Sequence, residues 1–504
     1  MKACPTSLTF GRDRPGFYPA SQAHGRDARA TRPADPAWHG RPAHVWKDWD
    51  RRHFPLALLC VLACLAGSAP SAHATDADEI KQLREQIRAL ERRLDELEKN
   101  QERSEAATTA AAQTAPKVSV SDKGVSLASA DGDNVIRLRG LVQADSRLFF
   151  GDGGLVNNSF VLRRARLISE GAFDKIYEFQ LVTEFGGSSV SILDANVALT
   201  LAPAAQLKVG RFKPPVGLEM LQSDAWSFFA ERSLVTNLVP NRDLGAQLGG
   251  GFLAGRLTYA AGVFNGVADA GSTTNADFDN DKDAVVRVFA QPFKLDDSSP
   301  LQGLGFGVAG SRGRQKTAAA LTSGYRTDGQ QVFFRYKSTA VADGQTWRVS
   351  PQASYYQGPF GALGEYAVSA VEVRPAATSP ATELRHRAWQ LAAGYVLTGE
   401  KSSYNGVVPA RPFRPGQTGW GAWEITARYA NLKIDDKAFP LFADPAASAA
   451  EATAWGVGVN WYLNRTVRAT FDYFRTRFDT VLPATSVLLR QDEQALITRL
   501  QLAF

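Results

Sequence analysis

The sequence predicts an all-β fold: a closed antiparallel transmembrane β-barrel of sixteen strands, preceded by a short N-terminal coiled coil. Three observations carry this. From residue 134 to the end, apolar and polar residues alternate with a period of two. No apolar run reaches the 18 residues a bilayer-crossing helix needs. A secretory leader opens the chain, and an alternating strand ends on Phe504, as in bacterial outer-membrane barrels whose terminal aromatic serves as an assembly signal.

The leader comes first. Lys47, Arg51 and Arg52 form a positive stretch, the apolar run 55–67 follows, and Ala72-His73-Ala74 is a small-x-small cleavage site. Residues 1–44 fit no targeting pattern and read as an over-extended gene start, so 1–74 is set aside. This leader holds ten basic and five acidic residues, which leaves a net charge of only +1 for 75–504. The sequence pI of about 9.1 is therefore largely the leader's. No Lys/Arg tract or nucleic-acid motif is present, which excludes nucleic acid as a partner.

The leader also takes the cysteines. Cys4, Cys60 and Cys64 all lie in it, so nothing downstream forms a disulfide, a thiolate metal site or a cysteine nucleophile. Only His386 of six histidines lies beyond residue 73, which excludes a multi-histidine metal centre. A Ser-His enzyme would rest on that one residue, yet Arg385 and Arg387 flank it and no Gly-x-Ser-x-Gly stands beside it.

Residues 75–105 read as a coiled coil. Ile80, Leu83, Ile87, Leu90, Leu94 and Leu97 are spaced 3, 4, 3, 4, 3, the a/d seam of about three heptads. Charged residues fill nearly every other position, so self-association is the natural way to cover the seam. The alternative is a single helix lying on the rest of the chain. Residues 106–133, rich in Ala and Thr at their start, read as a linker.

The barrel occupies 134–504. Leu138, Gly140, Val142, Ala144 and Leu148 share one face, and Arg137, Arg139, Gln143, Asp145 and Arg147 the other. Seventeen segments carry such patterns: 135–150, 157–173, 175–186, 189–201, 205–212, 244–254, 256–266, 282–292, 302–314, 328–338, 345–357, 361–374, 385–399, 419–432, 453–464, 466–479 and 492–504. Single-chain bacterial barrels use an even number, so sixteen are expected and one segment is surplus. A soluble β-sandwich also alternates, but here no ~100-residue repeat and no linker interrupts 134–504. The second face carries Arg, Glu, Gln and Asp on strand after strand. A lipid exterior around a wet lumen satisfies both faces. Tyr355, Tyr356, Trp420, Trp423, Trp455 and Trp461 suit interfacial girdles.

One irregular stretch stands out, Lys213–Asp243. It holds Pro214, Pro215 and Gly217, then the bulky Trp226, Phe228 and Phe229. A loop of this length is usually functional, and in a barrel it can fold inward and narrow the lumen. Lys208, Arg211, Lys213, Arg232 and Arg242 lie on or near it. Rings of such cations select anions. The same charges can instead face solvent or pair with Glu219, Asp224 and Glu231. Asp277–Asp283 places carboxylates at alternating positions, but lacks the glycine and distal glutamate of a calcium loop and reads as an external connection.

These residues carry a resemblance. Phe160-Val-Leu-Arg-Arg-Ala-Arg-Leu167, Gly210-Arg-Phe-Lys-Pro-Pro-Val-Gly-Leu-Glu219, Phe229-Ala-Glu-Arg-Ser233, Pro240-Asn-Arg-Asp-Leu-Gly245 and Ala261-Gly-Val-Phe-Asn-Gly266 resemble the phosphate-selective porin O and P family. The resemblance covers about 130–504 and implies a homotrimer of sixteen-stranded barrels in the bacterial outer membrane. It implies that the third extracellular loop folds into the pore and that basic residues guide phosphate or polyphosphate inward. Arg163 and Arg164 match the family's pore-lining Arg-Arg-Ala motif, Arg232 its Glu-Arg motif, and Ser223 the first of two anion-holding serines. Two departures matter. Met220 stands where phosphate-specific members place a lysine, and Asp224 replaces their second serine. A carboxylate in place of a hydroxyl should repel a dianion; one unit charge at ~4 Å amounts to about 4 kcal/mol at an effective dielectric of ~20.

The resulting expectation is a passive outer-membrane porin for small anions, working without cofactor or energy input. Its candidate pore residues are Arg163, Arg164, Arg211, Lys213, Ser223, Arg232 and Arg242. Its partners are a small anionic solute, outer-membrane lipid and two further copies of itself. The rival readings are a general or cation-tolerant porin, a structural tether and a barrel enzyme.

Overall fold

The structure, a computed structural model, describes residues 76–504 apart from 152–155, 274–276, 278, 318–320, 377 and 483–490. The leader and its cysteines lie outside the described residues. The chain divides into two compact units, 1–96 and 97–504.

Helix α1 spans Asp76–Thr114. Ile80, Leu83, Ile87, Leu90, Leu94 and Leu97 are between 50% and 64% exposed among the described residues, so the helix does not cover its own apolar seam. The helix runs beyond the expected end of the coiled-coil segment. What reads as a linker holds the end of this helix and a hairpin, β1 (Lys117–Ser121) and β2 (Gly124–Ala128). Alanine is the best helix former, which explains the extension through 106–114.

The remaining strands are β3 (Val135–Phe150), β4 (Ser159–Phe173), β5 (Tyr177–Glu184), β6 (Ser191–Ala202), β7 (Ala205–Phe212), β8 (Asp243–Phe252), β9 (Leu257–Phe264), β10 (Asp283–Ala290), β11 (Leu304–Gln315), β12 (Tyr325–Arg326), β13 (Val332–Phe334), β14 (Val341–Gln357), β15 (Phe360–Arg374), β16 (Thr382–Val396), β17 (Ala422–Lys433), β18 (Glu451–Tyr462), β19 (Val467–Asp479) and β20 (Glu493–Ala503). Sixteen of them, β3–β11 and β14–β20, pair antiparallel with their neighbours. The ring closes where β20 pairs β3, from Gln494↔Phe150 to Ala503↔Leu141. Hairpin strand β2 takes the part of β3 that β20 leaves free, Val135–Leu138.

The surplus segment is 328–338. It holds β13, which pairs only with β12 inside the long connection from β11 to β14. Phe333 and Phe334 are fully buried, so this run is apolar because it lies within the barrel rather than across a membrane.

The strands face two ways, as their alternation demands. On β16, Trp389, Leu391 and Tyr395 point out and are exposed, while Leu384, His386, Ala388 and Gln390 point in and are buried. Connections alternate between two ends. At the turn end, Asp174–Lys175 and Leu253–Ala254 take positive φ, the geometry of tight hairpin turns. One connection at that end is long, residues 397–421 between β16 and β17. At the loop end, the β7–β8 and β11–β14 connections fold inward. Their Val216, Leu234, Leu238 and Phe334 pack on wall residues Leu384, Ala388, Ala430 and Leu432, an apolar core inside the barrel.

Candidate functional site

The β7–β8 loop, 213–242, is a strut spanning the lumen. Pro214 and Pro215 carry the chain off β7, and the short helix α2 (Leu218–Leu221) follows. The Glu365 carboxylate accepts the free N–H groups of Leu218 (2.9 Å) and Glu219 (3.1 Å), satisfying donors that a helix start leaves open. The Glu219 carboxylate then accepts from the Ser233 amide (3.1 Å), the Ser233 hydroxyl (2.7 Å) and Gln390 (2.8 Å), tying the two arms of the loop together.

Polar side chains of the wall hold the loop's carbonyls. Gln352 donates to Val216 O (3.0 Å), Gln143 to Asp224 O (3.0 Å), Gln501 to Ala225 O (3.1 Å), Arg468 to Ser227 O (2.9 Å), Asn460 to Phe228 O (2.8 Å) and Arg428 to Glu231 O (3.0 Å). The Arg428 guanidinium also lies 4.5 Å from the Phe229 ring and 5.2 Å from that of Phe474. These six buried carbonyls thus find the partners they need. From the turn end, the 397–421 connection adds a prop: Tyr404 donates its hydroxyl to Leu218 O (2.6 Å), and Gln222 donates to Tyr404 O (2.8 Å). Gly406, at φ +85°, lies against the Trp226 ring where a Cβ would collide.

Facing the strut is a row of arginines on β4. The β3–β4 register shifts between Gln143 and Ala144, which pair with Arg164 and Leu162. Arg163 is the extra residue of this bulge. Bulges re-aim side chains, and here both Arg163 and Arg164 point inward, although strict alternation would send one of them to lipid. Two carboxylates on the loop receive the row. Glu231 accepts from Arg163 through both oxygens (Nε 2.6 Å, Nη2 3.0 Å), from Arg147 (2.9 Å) and from Arg499 (3.0 Å). Asp224 accepts from Arg164 (3.1 Å), Arg166 (2.5 Å) and Arg232 (2.6 Å). Burial opposes ionisation of both acids. The arginines outweigh it: Arg164, Arg232 and Arg166 hold Asp224 well below the usual carboxylate range, and Arg163, Arg499 and Arg164 hold Glu231 there too.

The seven candidate residues separate into groups. Arg163, Arg164 and Arg232 line one cavity of about 500 Å³ with Met220, Arg326 and residues of the β9–β10 and β11–β14 connections. Ser223 lies on a second cavity, toward the turn end, with Arg137, Arg139 and Trp226. Lys213 donates its ammonium to Met220 O (2.7 Å) and Gln222 O (3.1 Å), and burial pushes its pKa well down. Arg242 is buried against Asp194 (3.2 Å) and Asn241 (3.0 Å). Arg211 does not line the 500 Å³ cavity, and its buried Nε has no partner among the described residues.

Arg147, Arg166, Arg428 and Arg499 are not among the candidate pore residues, although alternation places Arg147 on the polar face of its strand. All four sit at inward positions of alternating strands, the signal that would have found them. Sequence reasoning also expected Asp224 to face the solute as a repelling charge; instead the carboxylate is buried among three guanidinium groups. His386 is buried as well. Its Nδ1 accepts from the Asp435 amide (3.1 Å) and its Nε2 meets the Tyr336 hydroxyl (2.6 Å), while its register partner Ser369 gives its own hydroxyl proton to Asp269 (2.8 Å).

A closed sixteen-stranded barrel, apolar outside and polar within, with a loop braced across an arginine-lined lumen, defines a channel of the bacterial outer membrane rather than an enzyme. The model of the family "phosphate-selective porin O and P" matches residues 136–504. The chain belongs to that family. It is similar to Porin O of Pseudomonas aeruginosa, with 27% identity over 430 residues, covering 76% of this chain and 91% of that one. Among solved structures it is similar to an anion-selective porin from Comamonas acidovorans (14% identity, 74% of this chain and 100% of that one, TM-score 0.46). It is also similar to OmpF of Salmonella typhi in complex with daunomycin (12%, 74% and 98%, TM-score 0.47).

Proposed function

We propose that this porin passes small anions by passive diffusion, as a homotrimer, through a constriction between the β7–β8 loop and the β4 arginines. The carrying observation is the 500 Å³ cavity, whose wall holds Arg163, Arg164, Arg232 and Arg326 against Glu231 and Asp269. The excess of guanidinium groups favours anions by Coulomb attraction and by hydrogen bonds to oxyanions. The cavity at the turn end continues the excess, with Lys123, Arg137, Arg139 and Arg465 against Asp122 and Glu170. The exposed seam of α1 supports self-association through a coiled coil.

Phosphate enters this reading as one permeant anion among others. A tight phosphate site needs guanidinium groups free to turn to the ligand. Here Asp224 and Glu231 already occupy six β-strand and loop arginines: Arg147, Arg163, Arg164, Arg166, Arg232 and Arg499. Met220 supplies no cation in return. The test is the reversal potential of the purified channel in planar bilayers under a KCl gradient, repeated with phosphate. Anion selectivity without block at submillimolar phosphate is expected. Cation selectivity would overturn the arginine mechanism, and block at submillimolar phosphate would restore a specific site.

A further inference from the structure

The outer wall is not the same all round. Five tryptophans face outward from strands: Trp347, Trp389, Trp423, Trp455 and Trp461, all between β14 and β18. Strands β3–β11 contain none. Tryptophan and tyrosine settle where hydrocarbon meets headgroups, so the β14–β19 side is the one that meets lipid.

On that side one aromatic line crosses four neighbouring strands. Trp389 and Tyr429 have ring centroids 5.5 Å apart, Tyr429 is the register partner of Trp455, and the Trp455 and Tyr473 rings are again 5.5 Å apart. Going from this line toward the loop end, the outward positions turn basic: Arg387 and Arg385 on β16, Lys433 on β17, Arg475 and Arg477 on β19. The band's acids are Glu383, Glu451, Asp479 and Asp492, with Asp435 and Asp436 just past Lys433; Asp435 accepts from the Arg385 amide (2.8 Å) and the Lys437 amide (3.0 Å), and Asp479 lies two residues from Arg477 on β19. Glu383 pairs with Arg385, Asp492 accepts from Arg475 (2.9 Å), and Glu451 accepts from Asn431 (2.6 Å).

Three cations remain. Arg387, Lys433 and Arg477 are exposed and have no ion-pair or hydrogen-bond partner among the described residues. Arg387 and Lys433 are direct register partners on adjacent strands. Such residues lie within about 5.5 Å at Cα, and like charges set opposite each other destabilise a sheet. A multivalent anion between them turns that repulsion into attraction. The anion must be anchored at headgroup height beside an aromatic line, facing lipid.

We propose that the Arg387–Lys433 pair, with Arg477, is a binding site for the sugar-phosphate headgroup of an outer-leaflet glycolipid. The acyl chains run down past Trp389, Tyr429 and Trp455, and the phosphate sits between the guanidinium and the ammonium. This assignment rests on the outer-membrane location and not on what the pore conducts.

The test uses the full-length channel in detergent, with phosphorylated lipid A as the probe and its dephosphorylated form and phosphatidylglycerol as comparisons. Phosphorylated lipid A is expected to raise the unfolding midpoint and to remain bound in native mass spectra. In the double variant Arg387→Gln/Lys433→Gln its apparent affinity falls at least tenfold, while single-channel conductance stays as in wild type and the unliganded midpoint, relieved of the opposed charges, does not fall. Dephosphorylated lipid A should bind the wild type no better than the phosphorylated form binds the double variant. Unchanged binding by the double variant overturns the site. Equal binding of phosphatidylglycerol overturns the glycolipid assignment.

Discussion

Arg163 grips Glu231 edge to edge, Nε to Oε1 at 2.6 Å and Nη2 to Oε2 at 3.0 Å, so an arginine of the barrel wall and a carboxylate of the β7–β8 loop form one rigid unit. Arg147 and Arg499 reach the same Oε1. Removing the acid strands three guanidinium groups against one another in a water-poor site. Glu231→Gln should therefore destabilise the barrel by about 3–5 kcal/mol. Arg163→Gln should cost less, because Glu231 keeps two partners. Heat-unfolding midpoints of the detergent-solubilised channel give the order, and equal midpoints for the two variants would refute it.

Asp224→Ser is expected to act on selectivity. It releases Arg164, Arg166 and Arg232 from their shared partner and raises the local charge by one unit, about 4 kcal/mol at ~4 Å and an effective dielectric of ~20. The reversal potential should move further toward chloride. With Met220→Lys added, phosphate should block at concentrations that leave the wild type open. A double variant as insensitive as wild type would show that these two positions do not decide phosphate recognition.

Acid should unlock the loop only late. Asp224 and Glu231 have folded-state pKa values held below their ordinary ones, 3.8 and 4.5. Their contribution to stability is complete above those ordinary values and fades as pH falls through the lowered ones. The ion pairs of these two acids should persist as pH falls to about 4 and give way only below about pH 3, which selectivity measured across that range reads as a late change. A transition near pH 5–6 in bilayer recordings would mean that other groups control the loop.

The barrel was legible in the sequence because period two is a strong signal and lipid outside, water inside fixes which face each residue takes. The segment 328–338 misled for a physical reason: a loop buried within a barrel is as apolar as a strand buried in a membrane. Arg163 and Arg164 were found through a resemblance, not through alternation, since a bulge must intervene before both face the lumen. The pairing of Asp224 with a loop arginine was one of the readings the sequence left open, but its burial among three arginines was not legible. Whether a carboxylate repels a solute or locks three arginines depends on distances between β4 and a loop some sixty residues on, and no local pattern encodes them. The cations of the lipid-facing band stood in plain view around His386, but their meaning needed the register that sets Arg387 beside Lys433.

Gly140 has no room for a side chain. A Cβ there would come within 2.6 Å of the Phe504 ring, while Gly140 and Phe504 exchange both backbone hydrogen bonds at 2.9 and 3.0 Å. Gly140→Ala should push the terminal ring off the wall and lower the yield of heat-resistant barrel in outer-membrane fractions. A normal yield would show that the ring finds another seat.

Replacing 403–410 by two glycines should widen the channel without collapsing it. The change removes the Tyr404 prop under Leu218 but leaves the wall contacts that hold the loop. Single-channel conductance is expected to rise, with anion preference retained. Unchanged conductance would place the narrowest point wholly on the loop side.

The strand that opens the barrel and the strand that closes it meet through more than backbone. Gln143 on β3 bonds Gln501 on β20 at 2.7 Å, Asp145 bonds Arg499 at 2.6 Å, and each of these pairs also reaches the constriction loop. The zip of the last seam is thus keyed to a piece already in place. A chain assembled hairpin by hairpin makes these contacts at closure only if 213–242 is already inside the ring of strands.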